Sequence, residues 1–288
     1  MTENKICRTD LHLHTNYSFC APKDTYIESY LPHCAEEGIC TIGISNHLYA
    51  TETNGINGLS YLDYILQGKA EAEALRKTTD VRILYGCESE IFWGQEAGLR
   101  PEDAHHFDYV LMAASHIFNW LPMYKNVDLS SADKVRDILL KQFCRACMVE
   151  YDIPVGICHP LYPICCPWEQ EVVDGITDAQ LTECFSLAAE RNRSIEIHAC
   201  LYRNGTQLDE DGISPSYIRL LTAAKKCGCK FHFGSDAHAP GSFTGTHAKL
   251  ERAAQRSGIT EADLWEVGRS EEHSCVFKCG VLCQQRYP

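Results

Sequence analysis

In the stretch "DLHLHTNYSFC", Asp10 to Cys20, His12 and His14 stand one residue apart. On a β-strand both imidazoles would point to the same side. One such pair in a chain of 13 histidines is close to chance, so its meaning depends on where the others fall. Other apolar runs end in the same residue types. "TIGISNH" ends at His47, "RILYGCESE" supplies Glu88, "DYVLMAASH" ends at His116, "PVGICHP" reaches His159, and "FHFGSDAH" closes on Asp236 and His238. Neutral imidazoles with a few carboxylates are metal ligands rather than an acid–base dyad. Six imidazoles and two acids exceed the four donors that one tetrahedral zinc takes. Two or three divalent ions are implied, with Glu88 or Asp236 able to bridge. The donor set suits zinc, iron or manganese alike.

Such residues meet only if the strand ends converge. Short apolar runs alternate with amphipathic stretches, the signature of βα units and a parallel sheet. Strands are expected over 9–14, 41–45, 82–86, 109–113, 155–158, 194–197 and 230–234. Helices are expected in "SYLDYILQGKAEAEALRK", with Leu62, Ile65, Leu66, Ala70 and Leu75 on one face, in "SSADKVRDILLKQFCRACMVE", and in "SPSYIRLLTAAKKCG". In the last of these, Ser214 caps, Pro215 opens and Gly228 stops the helix. No linker or low-complexity tract interrupts 1–288, which predicts a single α/β domain: a distorted TIM-like barrel of seven βα units. In such a barrel the C-terminal strand ends share one face, where active sites lie. The irregular connection 117–133, with Trp120, Pro122 and Tyr124, is either a lid or a loop packing its aromatics on the rim.

Composition narrows the function further. The formal charge is −13, from 39 acidic and 26 basic residues, which disfavours long nucleic acid but not a small anion held by cations. Polar residues at the N-terminus and the absence of a long apolar run predict a cytoplasmic protein that does not cross a membrane. The 17 cysteines read mostly as small buried thiols in a reducing compartment. Cys144 and Cys147 form an isolated C-x-x-C.

Taken in order, D-x-H-x-H, a strand ending in N-H, G-x-E, S-H, H-P and S-D-A-H resemble the polymerase and histidinol phosphatase (PHP) family over nearly the whole chain. The length is most like its stand-alone histidinol-phosphatase branch. The resemblance implies a distorted (β/α)7 barrel with a trinuclear metal centre that hydrolyses phosphoesters. It assigns His12, His14, Glu88 and Asp236 to a first ion. A second would be held by Glu88, His116 and His159, and a third by His47 and His238. The third ion's remaining ligand is usually histidine, and here that position is Cys20, whose thiolate would favour zinc or iron over manganese. "IEIHACLYRNG" resembles the segment leading to a phosphate-binding arginine, which makes Arg203 the candidate, with His198 facing the substrate and Glu196 orienting the segment. Asp236 would also orient the nucleophile and His238 would lie near the leaving oxygen.

The resulting expectation is a metal-dependent phosphomonoesterase acting on a small phosphorylated metabolite, L-histidinol phosphate first among them. The alternatives are a PHP-type phosphodiesterase or nucleotide hydrolase, and a metal-binding protein without turnover. Amidohydrolase-type C–N hydrolysis is disfavoured because Glu88 stands where such sites carry a bridging lysine.

Overall fold

The computed structural model describes residues 5–49, 61–117, 122–164, 166, 168–199 and 207–267. Seven strands, Thr9–Leu13 (β1), Thr41–Leu48 (β2), Arg82–Glu90 (β3), Val110–Ala113 (β4), Val155–Ile157 (β5), Ser194–His198 (β6) and Lys230–Gly234 (β7), lie side by side in chain order. Every neighbouring pair is parallel. The first and last strands come together where His14 N donates to Ala237 O and Asp236 N donates to His12 O, both at 2.9 Å. The sheet is therefore a nearly closed TIM-like (β/α)7 barrel.

Helices Leu31–Glu37 (α1), Leu62–Ile65 (α2), Gln67–Leu75 (α3), Ala132–Met148 (α4), Glu169–Asp174 (α5), Asp178–Glu190 (α6), Pro215–Lys226 (α7), Pro240–Phe243 (α8) and Thr246–Arg256 (α9) fall between and after the strands. The exception is the β3–β4 connection, which contains a 3-10 turn, Pro101–His106, and no α-helix. On α4 the buried Val135, Ile138, Leu139, Gln142, Phe143, Ala146 and Cys147 recur at the helical period and face the sheet. Burying each large apolar side chain of such a face stabilises the fold by about 1.5–3 kcal/mol. Among the described residues, no helix is long and apolar enough to cross a membrane.

Two local expectations change. The single helix expected from Tyr61 onward is two, with Leu66 ending one and capping the next. The buried positions of the second are Gly68 and Ala72, while Ala70 is exposed. Gly68 sits against the Tyr17 and Tyr85 side chains, so close that an added Cβ would overlap them. Of the connection 117–133, residues 118–121 lie outside the described ones. In its described part Tyr124 is buried, its hydroxyl donating to His116 O at 3.1 Å, while Lys125, Asn126, Asp128 and Ser130 are exposed.

The barrel interior is apolar at one end and polar at the other. Tyr109 crosses the lower part, where Gly43 and Gly86 leave room for its ring. Its hydroxyl lies 2.7 Å from Ser45 Oγ, and both hydroxyls reach the Leu11 carbonyl at 2.6 Å. Leu11, Leu84, Leu111 and Val267 fill the space around it.

An irregularity in β1 sets the direction of the H-x-H pair. Asp10 pairs with Ile42 and Leu13 with Ile44, so β1 advances three residues while β2 advances two. The extra residue is a β-bulge. Because of it, Asp10 and His12 do not share a side. Asp10 Oδ2 reaches His247 Nε2 on α9 at 2.9 Å, and His12 turns into the barrel.

Candidate metal centre

The polar mouth is built from strand ends. His12 and His14 come from the end of β1, His47 from β2 and Glu88 with Glu90 from β3. His116 stands three residues beyond β4 and His159 two beyond β5. Glu196 and His198 end β6, and Asp236 and His238 follow β7. The register His47↔Glu88 puts those two side by side. Gly234 on β7 makes room for Glu196, because a Cβ there would overlap its carboxylate.

Glu88 is the hub. Its Oε2 lies 2.7 Å from His47 Nδ1 and 3.4 Å from both His12 Nε2 and His14 Nε2, and its Oε1 lies 2.7 Å from His159 Nε2. Asp236 Oδ1 is 3.0 Å from His14 Nε2 and 3.6 Å from His12 Nε2. Glu90 Oε1 spans His116 Nδ1 at 2.9 Å and His47 Nδ1 at 3.1 Å. His198 Nε2 approaches Asp236 Oδ2 to 3.5 Å. His238 Nε2 is 3.0 Å from Cys20 Sγ at the exposed edge of the cluster.

These donors fit divalent ions. Two donors held tetrahedrally at zinc distances stand roughly 3.4 Å apart, close to the spacings above. Donor atoms of His12, His14 and Glu88, of His47, Glu88, Glu90 and His116, of His14, His47 and His238, and of His12, His198 and Asp236 each lie within 4.8 Å of one another. Glu88 Oε2 is fully buried and accepts no well-formed hydrogen bond, although three imidazole nitrogens surround it. A buried carboxylate oxygen ringed by imidazole nitrogens is a place for a cation.

Neighbouring groups fix the ring tautomers. His12 Nδ1 bonds Glu196 Oε1 at 2.7 Å, leaving Nε2 toward Glu88 and Asp236. Ser18 Oγ donates to Asn46 Oδ1 at 2.9 Å and so accepts from His14 Nδ1 at 3.0 Å, which leaves His14 Nε2 as an acceptor facing the cluster. Ser115 Oγ is hydrogen-bonded to His159 Nδ1, which leaves Nε2 toward Glu88. Orientation of this kind is what metal-ligating histidines need.

Charge follows the same geometry. Burial pushes the Glu88 carboxyl up, but His47 and His12 outweigh it and hold it well below the usual range. Burial likewise opposes Asp236, which His12, His14 and His198 hold well below normal. Glu196, buried but facing His12 and His198, comes down to about 2. Burial keeps His159 neutral, with its pKa lowered to about 4. Burial raises the Cys20 thiol, yet hydrogen bonds to His238 and His47 bring it to about 7, so a thiolate is available at neutral pH.

Asp236 (φ 55°) and His159 (φ 31°) are non-glycine residues in the left-handed region. Each such conformation costs about 1–3 kcal/mol and persists where the surroundings impose it. Here the Asp236 N–H bond to His12 O and the His159 N–H bond to Glu196 Oε2, at 2.6 Å, hold them.

His12, His14, His47, Glu88, His116, His159, Asp236 and His238 thus meet at one mouth, with Cys20 beside His238. His198, expected to face a substrate, is wholly buried and stands among the ligand atoms. Arg203 lies outside the described residues. Sequence reasoning missed Glu90 and Cys158, whose thiol is 3.6 Å from Glu88 Oε1. Glu90 had a usable signal: E-x-E on a strand puts both carboxylates on one side, by the same rule as H-x-H.

No protein-family model matches the chain, and no curated protein sequence does. Solved structures do match. The histidinol phosphate phosphatase HisK of Lactococcus lactis subsp. lactis, determined with zinc, L-histidinol and phosphate, superposes with a TM-score of 0.60 at 15% identity, over 88% of this chain and 94% of that one. Listeria monocytogenes hisK, assigned as a histidinol phosphatase, gives 0.61 at 13% identity, over 84% and 99%. At these identities the likeness is one of fold.

Proposed function

We propose that this barrel is a PHP-type metal-dependent phosphomonoesterase acting on a small phosphorylated metabolite, with L-histidinol phosphate the first candidate. The observation that carries the reading is the convergence of imidazoles around buried, ionised Glu88 and Asp236 at the C-terminal strand ends. Without cations these carboxylates would repel a phosphate, so an anionic substrate requires the ions that the ligand set can hold.

His12, His14, Glu88 and Asp236 would hold one ion. Glu88 with His116 and His159, joined by Glu90, would hold a second, and His47, His238 and Cys20 a third. Bound divalent ions of the zinc, iron or manganese kind supply a lowered pKa for water and neutralise phosphate charge. The chain's own groups position what reacts. Glu196 and Ser18 keep the His12 and His14 lone pairs on the cluster. Asp236 orients the nucleophile, and the half-exposed His238 stands at the mouth where a leaving oxygen departs. Arg203, in the segment after β6, would grip phosphate oxygens in a two-pronged bond. The net charge of −13 keeps long nucleic acids away, and a cytoplasmic setting suits the many free thiols.

Two features favour the monoester reading. The fold is shared over most of the chain with a phosphatase solved with L-histidinol and phosphate. Among the described residues the elements between the strands are helices and 3-10 turns, and none of them forms a second sheet. The test is phosphate release from a panel of phosphomonoesters, diesters and nucleotides after loading with zinc, iron or manganese. Preference for L-histidinol phosphate, lost with chelator, supports the full reading. Turnover restricted to diesters or nucleotides would keep the centre and replace the substrate. No turnover with any metal would leave a metal-binding protein.

A further inference from the structure

Away from the mouth, a cavity of about 690 Å³ opens between α4, α6 and the loop after β3, with Trp93, Leu140, Cys144, Arg145, Gln180 and Cys184 among its lining. Two thiols share it, Cys144 from α4 and Cys184 from α6. Both line the same cavity, and neither is in a disulfide. The C-x-x-C of the sequence therefore does not pair with itself. Cys147 turns into the core, while Cys144 is half-buried at the cavity and shares its lining with Cys184 from the neighbouring helix.

Exposure divides the two thiols into distinct roles. Cys144 is half-buried at the cavity, within reach of a small molecule, while Cys184 is buried on α6. Its neighbour Cys184 lowers the Cys144 thiol against burial and the nearby Glu183, and Cys144 together with burial raises Cys184. Cys144 is therefore the thiol that a small molecule meets first.

We propose that Cys144 is a modification site for low-molecular-weight disulfides bearing carboxylates, of the glutathione kind, and that Cys184 resolves the adduct. The Cys144 thiolate attacks one sulfur of the small disulfide, forming a mixed disulfide and releasing one small thiolate. Cys184 then loses its proton to solvent and attacks the Cys144 sulfur, releasing the second small thiolate. Two protein thiols are oxidised to one Cys144–Cys184 disulfide and one small disulfide is reduced to two thiols. Trp93 and Leu140 offer apolar contact to the small molecule's body. Lys141 and Arg145 offer cations to its carboxylates, with Glu183 opposing at the rim. None of these residues belongs to the metal centre, so this site stands or falls separately from the phosphatase reading.

The test uses the full chain, zinc-loaded and reduced, treated with oxidised glutathione near neutral pH without oxygen, with peptides mapped by mass spectrometry over time. Wild type should show a transient glutathione adduct on Cys144, then a peptide linking Cys144 to Cys184. Cys144→Ser should give neither, and Cys184→Ser should accumulate the adduct. Cys144 should react about tenfold faster than Cys227, a half-buried thiol on α7's C-terminal cap. The wild-type kinetics hold even if a variant folds poorly. Equal rates at Cys144 and Cys227, or a stable adduct on wild-type Cys144 with no link to Cys184, would overturn the proposal.

Discussion

Glu90 shows how far single residues could be read. Alternation on a strand exposed His12 and His14 as a pair, but the run "RILYGCESE" was read only for Glu88, so Glu90 stayed out of the set. Its carboxylate joins His47 and His116, and Glu90→Gln keeps the shape while removing the charge. We expect metal affinity, measured by competition with a chelating dye, to fall about 10–100-fold. Unchanged affinity would reduce Glu90 to a passive neighbour. Cys20 was legible only as a departure from a pattern; its contact with His238 needed the fold, because the two are 218 residues apart. If Cys20 ligates, cobalt-loaded protein will show a thiolate-to-cobalt charge-transfer band in the near ultraviolet, and Cys20→Ser will lose it. Identical spectra would remove Cys20 from the ligand set.

At the scale of elements, the order of strands and the main helices were readable because apolar runs and amphipathic periods alternate. The bulge in β1 was not, since no residue type marks it. Strand alternation alone would put Asp10 on the side of His12, yet the extra residue turns it to α9, where His247 bridges Asp10 and Glu37 at 2.9 and 3.3 Å. Asp10 Oδ1 also accepts from His12 N and Ser235 N, both at 3.1 Å, tying the bulge to β7. His247→Ala leaves a buried carboxylate short of a partner. It should lower unfolding stability by about 1–3 kcal/mol in a urea titration, and weaken metal binding because Asp10, which anchors the His12 backbone, loses the partner that holds its other oxygen. A midpoint that does not move would make the network ornamental to the fold. The break at Leu66 was hidden for a related reason: which face of that helix is buried is decided by Tyr17 and Tyr85 crowding Gly68, contacts distant in sequence.

The whole molecule adds a pH dependence. His232, beneath the centre, bonds Ser194 Oγ at 2.8 Å, and burial lowers its pKa from 6.5 to about 4. As pH falls below 6.5 the unfolded chain takes up this proton before the folded one does. The stability associated with neutral His232 is therefore complete above the unfolded pKa and is lost as pH falls toward the folded one. Urea midpoints of the metal-free protein should drop through that window, less steeply in His232→Gln; equal slopes would assign the acid sensitivity elsewhere. Barrel and site face were foreseeable because six of the seven expected strand ends carried one chemistry. Arg203 remains a sequence proposal, outside the described residues.

The measurement that bears most directly on the centre is bound metal and phosphate release determined together for wild type and Glu88→Ala. Wild type should hold two or three divalent ions and release phosphate, and Glu88→Ala should lose both. Full turnover by a Glu88→Ala protein depleted of metal would contradict the metal-dependent reading.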